Sequence, residues 1–314
     1  MDAAGIHGAM AHGLRINLLC KDMNEITEGA LKIRDLRAPF FVGRNGTIEL
    51  EVISFWLLHR RGDHRRLYPQ RLKDQIQRNA GIFPATGESI DAWCEKYTEL
   101  LGLMNGGAAG WYQPLKEVEN IILKLFAPNS FRTPLRSLEP YYVEAEARWT
   151  QKLAGKRVTV VSSFADTMQS QIKRAKELWT GEQDGLLDIS GVTWSFVKTG
   201  YAPITASGIA DWPIECSTWQ SAVKYVVNSV TQKHCEVALI GCGGLGMIIA
   251  GRLKELGISS IVLGGSIQVL FGIKGRRWAT HDVISKFWNK SWISPSRTEI
   301  PGGAGLVEGG CYWL

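Results

Sequence analysis

Residues 236–265 read EVALIGCGGLGMIIAGRLKELGISSIVLGG, and this stretch decides the fold class. The letters describe an apolar strand, a glycine-rich turn, an amphipathic helix and a second apolar strand. Gly241, Gly243 and Gly246 have the spacing Gly-x-Gly-x-x-Gly. Such glycines permit a tight turn, and the helix that follows can offer free N–H groups to a phosphate. The stretch therefore predicts a parallel strand–helix–strand unit with an anion-binding turn.

The chain that precedes this unit repeats the same alternation of strands and helices. Residues 156–164 and 192–200 are rich in β-branched and aromatic side chains and are predicted to be strands. Residues 165–179 and 217–234 have apolar side chains at helical spacing. Strands that alternate with helices of this length indicate parallel β–α units, whose functional loops lie at the carboxyl edge of the sheet.

The rest of the chain is expected to complete one α/β domain over residues 1–314, with a Rossmann-like, mostly parallel sheet and flanking helices. Residues 38–43 predict a short buried strand, and residues 48–61 predict a helix after a polar turn. Residues 67–150 are predicted to be a mostly helical insertion or lid. Residues 268–314 form an irregular, aromatic-rich tail that is predicted to pack back on the domain.

Composition narrows the class of protein. A hydrophobic content of 45% and a charged content of 21% are typical of a soluble protein with a core. The net charge of +6 suits anionic ligands but is too modest to require a nucleic acid. The six cysteines contain no Cys-x-x-Cys pair, which disfavours a zinc site and favours a reducing compartment.

Membrane and export signals are weak. The longest apolar run, residues 237–251, is interrupted by glycine and too short to span a bilayer. The amino terminus lacks the basic and apolar regions of a signal peptide. We therefore expect a cytoplasmic protein without a transmembrane segment, and peripheral attachment to a membrane stays open.

A dinucleotide site requires an acidic residue at the end of the second strand, where it binds the ribose. Here that strand ends in Gly264 and Gly265, and no acid occurs about twenty residues after Gly241. The sequence therefore disfavours nicotinamide or flavin binding. Two roles for the glycines remain: contact with another phosphate-bearing ligand, or close packing of the helix on the sheet.

The exit of the second strand carries groups that suit a diphosphate. Gln268 offers an amide, and Lys274, Arg276 and Arg277 form a basic cluster just beyond it. Cations close to glycine-rich turns are well placed to bind phosphate oxygens. The alternative is a solvated basic loop.

Two further turns follow strands of the predicted sheet. GRNGTIELE, residues 43–51, places Arg44 and Asn45 at the sheet edge and Glu49 in the first helical turn. Glu49 could bind a divalent cation or act as a base, or it could favour the helix N-terminus. The turn after residues 156–164 offers Ser163 and Asp166, each of which could also cap a helix.

These residues resemble a known family. GRNGTIELE is similar to the Arg-Phe-Gly-Asp-Gly-Glu-like motif near the N-terminus of GT-D-type glycosyltransferases. The late glycine-rich unit, LGGSIQVLFGIKGRRW and VEGGCYW resemble a GT-D-like group among polysaccharide-biosynthesis proteins. The resemblance covers residues 38–60 and 156–314. It implies transfer of a sugar from a nucleotide-diphospho sugar to a glycan or polysaccharide acceptor.

The resemblance also assigns site residues. The family's Asp-x-Glu metal motif falls on Thr47, Ile48 and Glu49, so the acid at position 49 is present and the first acid is absent. A divalent cation, Mn²⁺ or Mg²⁺, is therefore expected only through Glu49. The other positions that match the family are Arg44, Gly46, Gly241, Gly243, Gly246, Gly264 and Gly265.

Roles follow from the chemistry of sugar transfer. Lys274 and Arg276 are candidates to neutralise the diphosphate leaving group. Glu49 and Asp166 are candidates to activate the acceptor, with Glu308 a weaker one. A non-catalytic nucleotide-binding or glycan-binding protein is the alternative, because the metal motif is incomplete. A nucleic-acid-binding protein, suggested by HRRGDHRR at 59–66, ranks lower because no reading motif accompanies it.

Overall fold

The computed structural model describes residues 38–59 and 67–314. Residues 1–37 and 60–66 lie outside the described residues, so the region examined for a signal peptide and most of the basic stretch at 59–66 lie outside them too. Within the described residues the chain forms one parallel sheet with helices on both faces.

Seven strands form the sheet in the order β3-β2-β1-β7-β6-β4-β5, and every pairing is parallel. The predicted α/β, Rossmann-like fold class is therefore confirmed. In the central register, Val42 lies opposite Gly106 on one side and Ile261 on the other. The strands are β1 Phe41–Arg44, β2 Gly106–Ala108, β3 Phe131–Thr133, β4 Arg157–Ser162, β5 Thr193–Lys198, β6 Val237–Gly241 and β7 Ser259–Val262.

Helices and short 3₁₀ turns connect these strands. The α-helices are α1 Thr47–His59, α2 Gln70–Arg78, α3 Gly87–Leu101, α4 Lys116–Phe126, α5 Ala165–Ile172, α6 Ala175–Leu178, α7 Pro203–Ala206, α8 Trp219–Gln232, α9 Gly246–Glu255, α10 Ser266–Leu270, α11 Arg276–Ala279 and α12 Ile284–Phe287. In the part of the chain that the structure describes, none of these helices has both the length and the apolar composition needed to cross a bilayer.

The helices cover the two faces of the sheet with separate cores. The side chains of α1, α3, α4, α8 and α9 pack on one face. The other face is covered by α5, α6, α10, α12 and the tail. Neighbouring residues of one strand point into different cores, as Phe41 and Val42 do, because side chains alternate along a strand. Both faces are therefore buried, which explains the continuous apolar strands of the sequence.

Glycines let the helix of the opening stretch lie close to its neighbours. A Cβ atom at Gly246 would lie 3.1 Å from Val262, and one at Gly251 would lie 2.7 Å from Leu100 of α3. Between β6 and α9, the 3₁₀ turn begins at Gly243, whose φ of +47° favours glycine. Packing on β7 and on α3 therefore accounts for Gly246 and Gly251 without a ligand.

Residues 67–150 differ from the helical insertion or lid predicted for them. They contain α2, α3 and α4, but also β2 and β3, which extend the sheet beyond β1. The two strands were missed because they are only three residues long, and Gly-Gly-Ala and Phe-Arg-Thr have no alternating apolar pattern. Because two strands of the sheet belong to residues 67–150, this region is part of the sheet.

The tail lies against the sheet through its aromatic side chains. Trp278, Trp292 and Trp313 are buried. The indole N–H of Trp292 donates to the Leu178 carbonyl at 2.9 Å, and that of Trp313 donates to the Glu299 carbonyl at 3.1 Å. These bonds satisfy the polar end of each ring inside the core.

The order of the strands creates a crevice at the carboxyl edge of the sheet. From β4 the chain continues outward to β5, whereas from the adjacent β6 it returns to β7 in the opposite direction. The loops after β4 and β6 therefore diverge. In open α/β sheets, ligands bind in the crevice outside the carboxyl ends of strands at such a switch point.

Candidate functional site

A cavity of about 550 Å³ opens at this edge of the sheet. Its wall is built by the loops that follow β1, β2, β4, β5, β6 and β7, by the end of α2 and by the tail. This volume lies within the range of small-molecule sites, roughly 300–1,000 Å³. The position at the switch point and the volume together make this cavity the candidate functional site.

The cavity brings together most, but not all, of the residues predicted from the sequence. Those that line it are Arg44, Gly46, Glu49, Ser163, Gly241, Gly243, Gly264, Gly265 and Gln268. Those that do not line it are Asn45, Asp166, Gly246, Lys274 and Arg276.

Arg44 is the cation at the end of β1. Its guanidinium carbon lies 5.2 Å from the centre of the Trp111 ring. A Cβ atom at Gly264 would lie 2.8 Å from Arg44 Nη2, so the absence of a side chain there makes room for the guanidinium. Among the described residues, no hydrogen bond or ion pair joins Arg44 to another side chain. The guanidinium can therefore bind an anionic ligand.

Glu49 is the third residue of α1, and its carboxylate folds back against Gly46 at the N-terminus of that helix. The side chain is buried, with 9% of the residue exposed. Burial raises the pKa of Glu49, and a backbone hydrogen bond and the charge of Arg44 offset part of that rise. A carboxyl group with a raised pKa at the wall of a cavity is suited to proton transfer near neutral pH.

Asn45 does not contact the cavity, contrary to its predicted role. Its Nδ2 donates to Glu119 Oε1 at 2.9 Å, and its Oδ1 accepts from the Tyr97 hydroxyl at 2.8 Å. The other oxygen of Glu119 accepts from the backbone N–H of Gly110 at 2.7 Å. Asn45 faces inward because the side chain of each successive residue leaves the end of a strand in a different direction. Its amide joins β1 to α3 and α4.

We expect Asn45→Ala to lower the free energy of unfolding by about 1–3 kcal/mol, because Glu119 and Tyr97 would stay buried without their partner. Urea unfolding followed by tryptophan fluorescence measures the change. Asn129→Ala is the control, since Asn129 is exposed and its loss should change stability by less than about 0.5 kcal/mol. Equal unfolding midpoints for the two variants would contradict this assignment.

Asp166 lies in the first turn of α5, but its side chain is half exposed and forms an ion pair with Lys198. The N-terminus of α5 is occupied by Glu299, whose Oε1 accepts from the backbone N–H groups of Asp166 at 2.8 Å and Thr167 at 3.1 Å. A carboxylate of the tail therefore fills the position where an anionic ligand could bind. From the turn after β4, Ser163 reaches the cavity and shares a 2.7 Å hydrogen bond with the Tyr201 hydroxyl.

The glycine-rich turn after β6 is partly used for packing. The backbone N–H of Gly244 donates to the Ala80 carbonyl at 2.8 Å, and the Gly244 carbonyl accepts from Trp93 Nε1 at 3.1 Å. A Cβ atom at Gly243 would lie 2.9 Å from the Ala80 oxygen. The turn thus contacts Ala80, two residues after the end of α2, while Gly241 and Gly243 still form part of the cavity wall.

The basic cluster contributes a different cation from those expected. Lys274 lies over the Trp288 ring at 5.5 Å, and Arg276 Nη2 donates to the carbonyls of Gly309 and Gly310. Neither lines the cavity, whereas Arg277 does. Successive side chains of a helix point about 100° apart, so the two neighbouring arginines of α11 point in different directions.

The tail completes the wall beside Arg277. Arg277 forms an ion pair with Glu308, and its guanidinium carbon lies 4.7 Å from the centre of the Tyr312 ring. A Cβ atom at Gly265 would lie 2.9 Å from the Tyr312 ring, so this aromatic ring packs on the exit of β7. Burial raises the pKa of Tyr312, which keeps its hydroxyl protonated.

Sequence reasoning missed several residues of the wall. Trp111 follows β2 and was missed together with that strand. Tyr201 follows β5, and its position after a predicted strand was an available signal. Tyr312 belongs to the VEGGCYW stretch, but nothing in the sequence placed that stretch beside β7.

The expected divalent cation can be tested against the side chains present. Across residues 38–59 and 67–314, no group of three or more His, Cys, Asp or Glu side chains could hold a metal ion. At the predicted motif, Thr47 and Glu49 both line the cavity, and one carboxylate is their only acidic group. This set of donors does not fit a resident metal ion.

These features describe a site at a switch point with a cation, a buried carboxyl group and aromatic walls. Its chemistry supports ligand binding, but a fold of this class serves many activities. Comparisons of the chain with protein-family models, with curated proteins and with solved structures found no match. The resemblance to GT-D-type glycosyltransferases therefore stays a prediction.

Proposed function

We propose that this chain is a glycosyltransferase that moves a sugar from a nucleotide-diphospho sugar to a glycan or polysaccharide acceptor. One observation carries the proposal: Arg44, which has no ion-pair partner among the described residues, and the buried Glu49 line the same cavity at the switch point. The first can bind the leaving diphosphate, and the second can accept the proton of the acceptor.

Binding of the donor uses charge and aromatic surface. Arg44 offers a planar group of N–H donors that suits phosphate oxygens. Trp111 and Tyr312 line the same cavity and offer ring faces to a nucleobase or a sugar. The volume of about 550 Å³ accommodates a ligand as large as a nucleotide sugar.

The transfer step follows from these positions. The acceptor oxygen forms a bond to the anomeric carbon of the sugar while the bond from that carbon to the phosphate oxygen breaks. Glu49 takes the hydroxyl proton of the acceptor, and the electron pair of the broken bond stays on the nucleoside diphosphate. Arg44 stabilises the negative charge that develops there, as a preorganised cation does in a transition state. The raised pKa of Glu49 strengthens it as a base once it is ionised.

A second candidate is a non-catalytic nucleotide-binding or glycan-binding protein of the same fold. The position of the Glu49 carboxylate against Gly46, in the first turn of α1, favours it. An acid at this position stabilises the N-terminus of a helix through the helix dipole, with no part in catalysis. The two candidates share the ligand and differ in turnover.

We expect nucleoside diphosphates and nucleotide sugars to raise the melting temperature of the protein, because a ligand that binds only the folded state stabilises it. At a concentration 100 times the Kd, the gain in free energy of unfolding is about 2.7 kcal/mol. A thermal-shift series with nucleoside, monophosphate, diphosphate and nucleotide sugar, each with and without Mn²⁺, measures it. Nucleosides should shift the melting temperature least because they lack the phosphates that Arg44 would bind.

The same series separates the candidates. No shift with any of these ligands would reject the donor site. A shift together with release of nucleoside diphosphate in the presence of a glycan acceptor would support the transferase. A shift without any turnover would favour the second candidate.

A further inference from the structure

Arg277 is a second cation of the cavity wall, and it lies in the same part of the wall as Arg44. Arg44 lies against Gly264, and the Tyr312 ring lies against the adjacent Gly265. The guanidinium of Arg277 lies over that ring, and its Nη1 donates to the Tyr312 hydroxyl at 3.1 Å. Burial raises the pKa of Tyr312, and the charges of Arg277 and Arg44 both offset part of that rise, so both cations act on the same tyrosine.

Glu308 of the tail occupies the charged end of Arg277. One carboxylate oxygen of Glu308 forms the ion pair with Arg277 Nη2, and the other accepts from the Tyr312 hydroxyl at 3.4 Å. Glu308 itself lines the cavity, so its negative charge lies at the wall of the space in which a diphosphate would bind. A carboxylate at this wall repels an anionic ligand and competes with it for the guanidinium. The chain therefore supplies its own anion to one cation of the site.

The backbone does not favour this position of Glu308. Its φ is +47°, in the left-handed region that a residue with a side chain seldom adopts, and such residues are concentrated at functional sites. The backbone is held by other groups: Arg276 Nη2 donates to the carbonyls of Gly309 and Gly310, and the Glu308 N–H donates to Asn79 Oδ1 at 3.2 Å. These bonds do not involve the Glu308 carboxylate. The carboxylate can therefore leave its ion pair while the tail stays bonded.

The ion pair is also weak enough to be exchanged. The side chains of Arg277 and Glu308 are 37% and 33% exposed, and a pair exposed to this degree contributes at most about fivefold to an equilibrium constant. A diphosphate carries more negative charge than one carboxylate, and its oxygens suit the planar guanidinium group. A diphosphate is therefore expected to displace Glu308 from Arg277.

We propose that Arg277 is a second ligand of the diphosphate, together with Arg44, and that Glu308 holds Arg277 until the diphosphate displaces its carboxylate. This inference rests on the proposed function, because it takes the diphosphate of the donor as the ligand. It assigns opposite effects to the two members of one ion pair. Arg277 favours binding of the diphosphate, and Glu308 opposes it.

The chain contains a matched ion pair for comparison. Arg252 and Glu255 of α9 form an ion pair at 2.7 Å, and their side chains are 41% and 40% exposed. Neither residue lines the cavity. They lie at the end of α9 that leads to the start of β7, whereas the cavity lies at the carboxyl ends of the strands. Substitutions in this pair change the net charge of the protein by the same amount without changing the site.

The experiment measures the affinity for the nucleoside diphosphate that stabilises the wild type most, by isothermal titration calorimetry. Thermal unfolding confirms that each variant is folded. We expect Glu308→Gln to bind about two- to fivefold more tightly than the wild type, because glutamine keeps the shape and removes the competing charge. Arg277→Met should bind about 10- to 100-fold more weakly. Glu255→Gln and Arg252→Met should bind like the wild type.

The double variant Arg277→Met/Glu308→Gln separates competition for Arg277 from general repulsion. Without the guanidinium there is no cation to release, so Glu308→Gln should no longer tighten binding in this background. An equal gain with and without Arg277 would overturn the inference, as would a Glu308→Gln variant that binds no more tightly than the wild type. Weak binding by Arg44→Met together with wild-type affinity of Arg277→Met would reject the inference and leave the proposed function standing. A wild type that binds no nucleoside diphosphate would reject both.

Discussion

A Glu49→Gln variant is expected to transfer sugar about 10²–10⁴-fold more slowly than the wild type, the usual effect of losing a general base. Its affinity for nucleoside diphosphate should change little. Glutamine keeps the shape that packs against Gly46, and the raised pKa of Glu49 shows that a neutral group suits this buried position. Single-turnover release of nucleoside diphosphate in the presence of acceptor measures the rate.

The matched control for this variant is Glu117→Gln. Glu117 lies in the first turn of α4, as Glu49 lies in the first turn of α1, but it is exposed and does not line the cavity. Both variants remove a charge that favours a helix N-terminus, and only one removes the proposed base. Equal rates for Glu49→Gln and the wild type would leave Glu49 with the structural role alone.

The rate of sugar transfer by the wild type should depend on pH through the ionisation of Glu49. Since burial raises the pKa of Glu49 above its ordinary value of 4.5, the rate should increase with pH through a range above that value. The rate of the Glu49→Gln variant should not increase with pH in this range. The raised pKa also affects the free energy of unfolding, because the folded state binds the proton of Glu49 more tightly than the unfolded state does. The stability that Glu49 contributes in this way is complete below pH 4.5 and is lost as pH rises through the folded pKa.

The sequence predicted the order of strands and helices better than it predicted the directions of side chains. Residues 236–265 have long apolar segments and a glycine turn between them, so strand, helix and strand were recognisable from local pattern. β2 and β3 were not, because each is only three residues long and is held by its pairing with a neighbouring strand, which needs no periodic pattern. Missing β2 also removed Trp111, which follows it, from the predicted site.

Two errors in the predicted site come from one cause: neighbouring residues direct their side chains to different sides of the backbone. Arg44 lines the cavity, while the adjacent Asn45 is bonded to Glu119 in the core. Arg277 lines the cavity, while the adjacent Arg276 bonds to carbonyls of the tail. The error at Asp166 has a different cause, because the tail residue Glu299 fills the N-terminus of the helix that follows β4. Only the tertiary structure reveals such a distant partner.

An Arg44→Met variant is expected to bind nucleoside diphosphate about 10- to 100-fold more weakly than the wild type. This range corresponds to the roughly 1.5–3 kcal/mol that a hydrogen bond to a charged group contributes. Methionine keeps an unbranched apolar stem beside Gly264 and Trp111 and removes only the charged end, so the wall should stay intact. Titration calorimetry at low and high salt measures the affinity, and the salt dependence should decrease in the variant.

Arg276→Met provides the sharpest comparison, because the basic cluster of the sequence offered Arg276 as the phosphate ligand and the structure places Arg44 at the cavity instead. Arg276 bonds to the Gly309 and Gly310 carbonyls outside the cavity wall, so its loss should leave diphosphate affinity close to that of the wild type. The opposite result, with Arg276→Met weak and Arg44→Met unchanged, would move the diphosphate away from β1 to α11. Glu49 lies in the first turn of α1, just after β1, so the same result would also remove the support for Glu49 as the base.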